Sequence, residues 1–66
     1  MGQAPTPAQV RSARQASGLT QKASAQLIWA TESAWQKYEL GKRRMKPVVF
    51  FAFLVRVGLM EPYPVV

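Results

Sequence analysis

Between residues 6 and 57 the apolar positions fall in four short blocks, three at helical spacing behind a threonine cap and the fourth behind a proline, and most are closed by a glycine. Thr6-Pro7-Ala8-Gln9 reads as a helix start. Thr6 is the N-cap, Pro7 takes the first helical position, and Gln9 stands three past the cap, as in a capping box. This first helix is expected over about 7–17, with Val10, Ala13 and Ser17 inward and Gly18 ending it. Residues 1–6 read as a short flexible lead. Thr20 caps a second helix over about 21–28, where Ala25 and Ile28 repeat at three and Leu19 packs just ahead of the cap. Thr31 caps a third over about 32–40. Glu32 stands in its first turn, where the helix dipole favours an anion, and Gly41 ends it. Trp35 and Tyr38, three apart, share one face.

Residues 48–55 are apolar throughout, so composition alone also fits a strand. A helix over about 47–57 is expected, because Pro47 and Gly58 bracket the right length and a lone strand has no partner. The tail 59–66 holds two prolines and is expected to be extended. The chain therefore reads as all-α: one domain over 1–66, four short helices and a tail, with no internal repeat.

Composition narrows what such a domain does. At 66 residues it buries roughly 60% of its unfolded surface, and a core that small rarely supplies more than about 3–5 kcal/mol. There is no Cys and no His, so disulfides and thiolate or imidazole zinc sites are excluded, and no metal or cofactor is expected. Self-association is the remaining source of stability. The same absences remove the commonest general base and the best nucleophile. Glu32 and Glu39, two helical turns apart, stand about 10 Å from each other, too far to share a proton. The chain reads as a non-enzyme.

A net charge of +6 favours a polyanionic partner, nucleic acid before an anionic membrane. The run 48–60 is short and interrupted by Arg56, so it does not read as a membrane span. Gly2 and Thr6 fit the myristoylation pattern, a short one that arises by chance, and no secretory signal is visible. A cytoplasmic protein is expected.

Two short helices crossing steeply need a small residue where they touch, apolar residues on either side, and an exposed outer face on the second. Residues 21–40 supply each part. Ala25 is the contact, Ile28 and Ala30 flank the turn, and Trp35 and Tyr38 point inward. Glu32, Ser33, Gln36 and Lys37 are left outside.

The stretch "LTQKASAQLIWATESAWQKYELGKRR" resembles the Cro and phage-repressor (XRE-type) helix-turn-helix family. That family carries a Gln, an Ala four later, a turn, an apolar anchor and then "E-x-G". Gln21, Ala25, Trp35, Tyr38, Glu39 and Gly41 fall in register, and the likeness covers about residues 10–56. One position departs: the family usually has Gly at the turn, where this chain has Trp29. Either Trp29 adopts a positive φ there, at a cost of about 1 kcal/mol or more, or the turn differs.

The resemblance implies a lambda-repressor-like fold and sequence-specific binding of double-stranded DNA. Glu32, Ser33, Gln36 and Lys37 are then the expected base contacts; Gln suits adenine and Lys suits guanine. Glu32 either accepts from a cytosine amino group or only caps its helix. On most helices Gln36 and Lys37 would be ordinary solvated positions. Gln21, Lys22 and Thr31, at the helix starts, and the basic run Lys42, Arg43, Arg44 and Lys46 are expected on phosphate. In family members similar to this one, an Arg seven before the motif's Gln pairs with the Glu of "E-x-G"; Arg14 and Gln21 keep that spacing, so a pair between Arg14 and Glu39 is expected.

The implied function is a repressor acting as a homodimer on a palindromic operator, such as a phage or anti-CRISPR-associated autorepressor. The alternative is a protein-interaction adaptor on the same fold. Some rings of the all-apolar last helix must face outward, and Phe50, Phe53, Val57 and Leu59 are expected nearest the dimer axis, with the "EPYPVV" tail reaching across.

Overall fold

The computed structural model describes residues 3–60. Over these the chain forms four helices and no strand: α1 (Pro7–Ser17), α2 (Gln21–Leu27), α3 (Glu32–Leu40) and α4 (Pro47–Arg56). Three of the four starts are fixed by a threonine. Thr6 Oγ1 accepts from the Gln9 amide at 3.1 Å while Gln9 Oε1 accepts from the Thr6 amide at 2.9 Å, a reciprocal capping box. Thr20 and Thr31 accept from the amides of Ala23 and Ala34, each at 3.1 Å. α4 has no side-chain cap, because Lys46 carries no acceptor; Pro47 starts it by fixing φ and lacking the N–H that would go unpaired. α2 and α4 each stop one residue short of the expected end, with Ile28 and Val57 as C-caps.

Gly41 is required twice over. Its φ of 77° lies in the left-handed region, and a Cβ there would meet Pro7 Cγ at 3.3 Å. The end of α3 therefore seats directly on the start of α1.

α2 packs mainly on α3, α1 also packs on α3, and α4 closes the core from the other side. Trp35 and Phe53 are wholly buried at the centre, with ring centroids 4.9 Å apart. Val10, Ala13, Ala25 and Met45 surround them. Met45 is an addition to the expected core: the one apolar residue in the basic run turns inward. The lead is not loose throughout either, since Pro5 is buried.

The dimer-axis assignment needs correcting. Phe53 is fully buried in this chain's own core, and Phe50 and Val57 are half-buried against it. Of that set only Leu59 stands open, at 47% exposure. A helix on so small a core turns one stripe inward, and here the stripe is centred on Phe53, which sends Val48 and Phe51 outward. A sequence apolar in every direction carries no signal for that phase. The tail is not extended at its start, because the Leu59 amide returns to the Leu54 carbonyl at 2.9 Å. Residues 61–66, with the expected crossing segment, lie outside the described residues.

One carboxylate joins three of the helices. Glu39, its side chain 2% exposed, accepts from Arg14 Nε at 2.5 Å and Arg14 Nη2 at 3.2 Å. It also accepts from Trp35 Nε1 at 2.6 Å, Gln21 Nε2 at 3.2 Å and, more weakly, Arg11 Nε at 3.4 Å. Arg14 Nη1 donates in addition to the Leu19 carbonyl, tying down the α1–α2 connection. Burial by itself pushes the Glu39 carboxyl up; the hydrogen bonds from Arg14, Trp35 and Gln21 outweigh it and hold the group at about 2, below its usual 4.5. The hydrogen bond to Glu39 raises the Arg14 pKa in turn.

Phe53→Ala is expected to cost about 3–5 kcal/mol in urea unfolding, close to the whole stability of such a core, whereas Leu40→Ala, exposed on α3, should shift it by less than about 0.5 kcal/mol. Phe53→Glu should accordingly unfold the chain. Arg14→Ala and Glu39→Ala should each destabilise by roughly 3 kcal/mol, and the double variant by less than their sum, because each single change strands a buried partner. A carboxyl easier to ionise when folded stabilises fully above its unfolded value of 4.5 and loses that contribution as pH falls towards 2. The lowering from 4.5 to about 2 is worth roughly 3 kcal/mol, so the melting temperature should drop steeply across that window, and Glu39→Gln should flatten the drop.

Candidate nucleic-acid interface

α3 has two unlike sides. Ala34, Trp35 and Glu39 are buried and Tyr38 half-buried, while Glu32, Ser33, Gln36 and Lys37 are all exposed on the opposite side. At 1.5 Å rise per residue the four span about 7.5 Å along the axis, less than the width of a DNA major groove. Leu40, 63% exposed, continues the same side one turn further on, an apolar extension not anticipated from the sequence. The inward side is locked by Trp35 and Glu39, so the outward side is held rigidly against the core.

The α2–α3 turn adopts the conformation that Trp29 makes costly. Its φ is 55°, so a tryptophan occupies the left-handed region where glycine would be free of strain. The turn is closed by the amides of Ile28 and Ala30 on the Ala25 carbonyl, at 3.1 and 2.9 Å. Ala25 itself is buried, which allows α2 and α3 to approach. The indole gains no burial in return. It stands 83% exposed, with the Arg56 guanidinium 4.8 Å from the ring centre.

Positive charge flanks α3. Lys42, Arg43 and Arg44 follow it and Lys46 precedes α4, all exposed. The run is ordered by its surroundings: the amides of Lys42 and Arg43 both return to the Lys37 carbonyl, at 2.9 and 3.3 Å, and Met45 is sunk in the core. Arg43 lies 5.9 Å from the Tyr38 ring centre. Lys22 and Thr31 are exposed at the starts of α2 and α3, and the Thr31 hydroxyl oxygen is engaged as a cap. Gln21 is the exception among the residues expected on phosphate. Its side-chain amide is turned inward to Glu39, leaving one amide hydrogen and the backbone N–H for any outside partner. Sequence reasoning also missed Arg11 and the Trp35 indole N–H as partners of Glu39; the four-residue spacing of Trp35 and Glu39 on one helix was the available signal for the second.

Among the described residues no helix is long and apolar enough to cross a membrane. Nor do they contain a group of three or more His, Cys, Asp or Glu side chains able to hold a metal ion.

Comparison with known proteins agrees with this geometry. Residues 8–62 match a family described as a helix-turn-helix domain. No curated protein matches the chain. The family match runs from the second residue of α1 to beyond α4, most of the sequence, and the chain belongs to the helix-turn-helix domain family.

Proposed function

We propose that this protein is a sequence-specific double-stranded DNA-binding transcriptional regulator, a repressor that acts as a homodimer on an inverted-repeat operator. The observation that carries this reading is the bare outer side of α3, rigidly backed by the core and bordered by the cations at 42, 43, 44 and 46. Ser33, Gln36 and Lys37 read base edges in the major groove, Gln36 suited to adenine and Lys37 to guanine. Glu32, at the helix start, accepts from a cytosine amino group. Lys22, Thr31, Lys42, Arg43, Arg44 and Lys46 lie on phosphate and set the register, with a backbone N–H of Gln21 beside them. The resemblance to Cro and phage repressors supports a setting among phage or mobile-element genes, in the cytoplasm.

The second reading, an adaptor that kept the fold without specific DNA binding, is favoured by a single observation, the exposed apolar side chains of α4. Selection of bound sequences from a random duplex pool separates the two. An enriched palindrome supports the regulator; weak, sequence-blind binding removes it.

On the selected operator, Gln36→Ala or Lys37→Ala should each cost about 1–3 kcal/mol and relax one base position. Arg43→Ala or Arg44→Ala should weaken binding to every sequence alike. The slope of log affinity against log salt should become shallower by about one for each phosphate no longer neutralised. Unchanged affinity and preference in Lys37→Ala would remove α3 as the reading element.

A further inference from the structure

Six large apolar side chains stand exposed among the described residues. Leu40 is on the outer side of α3, and the other five are Trp29, Val48, Phe51, Leu59 and Met60. Val48 connects three of these, Trp29, Phe51 and Met60. On one side it lines a groove with Phe51, Leu54 and Met60; on the other it lines a second groove with Trp29, Ala52 and Arg56. The apolar surface of α4 therefore continues without a break to the α2–α3 turn.

Trp29 is the anomaly on that surface. It holds a left-handed backbone conformation that a bulky side chain tolerates poorly, and it leaves one of the protein's two indoles 83% exposed. Neither feature helps the isolated chain fold. Exposed tryptophan and arginine are the residues that anchor protein interfaces, and here Arg56 lies over the indole.

We propose that Trp29 anchors a self-association surface running from the α2–α3 turn across Val48 to Phe51 and Met60, and that its occupant is a second copy of this chain. The proposal rests on the homodimer reading above and names the surface that reading requires. Charge favours a like copy. The chain carries +6, yet of the residues lining the two grooves only Arg56 is charged, and its guanidinium is stacked on a ring. Two copies can meet there with little repulsion. Area agrees: Trp29, Val48, Phe51 and Met60 together expose on the order of 400 Å², about half of the ~800 Å² per partner in a standard interface. Trp29 also sits two residues before Thr31, the N-cap of α3, so copies joined here hold their two α3 helices in a fixed mutual position.

The test exploits opposite signs. Sedimentation equilibrium of the wild type at micromolar concentrations should give a dimer. Trp29→Gly should weaken that dimer at least tenfold. Melted at a concentration where both proteins are monomers, the variant should nonetheless be as stable as the wild type or better, because glycine relieves the turn. Phe51→Glu, on the same surface, should weaken the dimer equally and leave the monomer folded. A dimeric wild type with unchanged self-association in both variants would overturn this surface and leave the homodimer reading standing. A wild type that stays monomeric at tens of micromolar would overturn both. Unchanged self-association with weaker binding of Trp29→Gly to a duplex carrying one half of the selected operator would assign the indole to DNA and also overturn the proposal.

Discussion

Everything in this small protein is arranged around one carboxylate. Glu39 reaches inward from the α3 side opposite its exposed residues, and its oxygens receive donors from α1, α2 and α3 itself. No other side chain in the described structure touches three helices through polar bonds. Because charge-assisted hydrogen bonds are directional, this node does what an apolar core of a few residues cannot. It sets the rotation of α3 about its own axis, and so the direction in which the opposite residues point. The apolar contacts, Trp35 on Phe53 above all, supply cohesion without that angular information.

The helix boundaries were legible because their signals are local. A threonine three residues before the amide it accepts from, a proline at the first position and a glycine at the end act within one turn of chain. The Arg14–Glu39 pair was carried by family resemblance rather than by physics, and the Arg11 and Gln21 donors to Glu39 were not accessible that way, since they depend on how α1 and α2 lean. The phase of α4 was illegible for a different reason. Periodicity assigns a buried side only when polar residues mark the other, and residues 48–55 contain none. Which ring enters the core was decided by the Trp35 surface it had to match. Met45 was hidden by its neighbours, four cations in a run of five residues.

The outward residues of α3 were legible as a set and not as individuals. Exposure of Glu32, Ser33, Gln36 and Lys37 follows from Trp35 and Tyr38 pointing inward at helical spacing. The inward turn of the Gln21 amide does not, because a glutamine at a helix start is equally free to face solvent until a buried acceptor lies within reach.

Met45 gives the basic run a property its charge alone would not confer. A loop of lysines and arginines is ordinarily a fluctuating brush, and ordering it on a partner costs conformational entropy for each residue fixed. Here a thioether sealed in the core and two amides bound to Lys37 hold the run between α3 and α4 before any partner arrives. That entropic cost is met in folding. The guanidinium and ammonium groups are thus presented as a fixed pattern of charge, able to recognise spacing between anions as well as their sign.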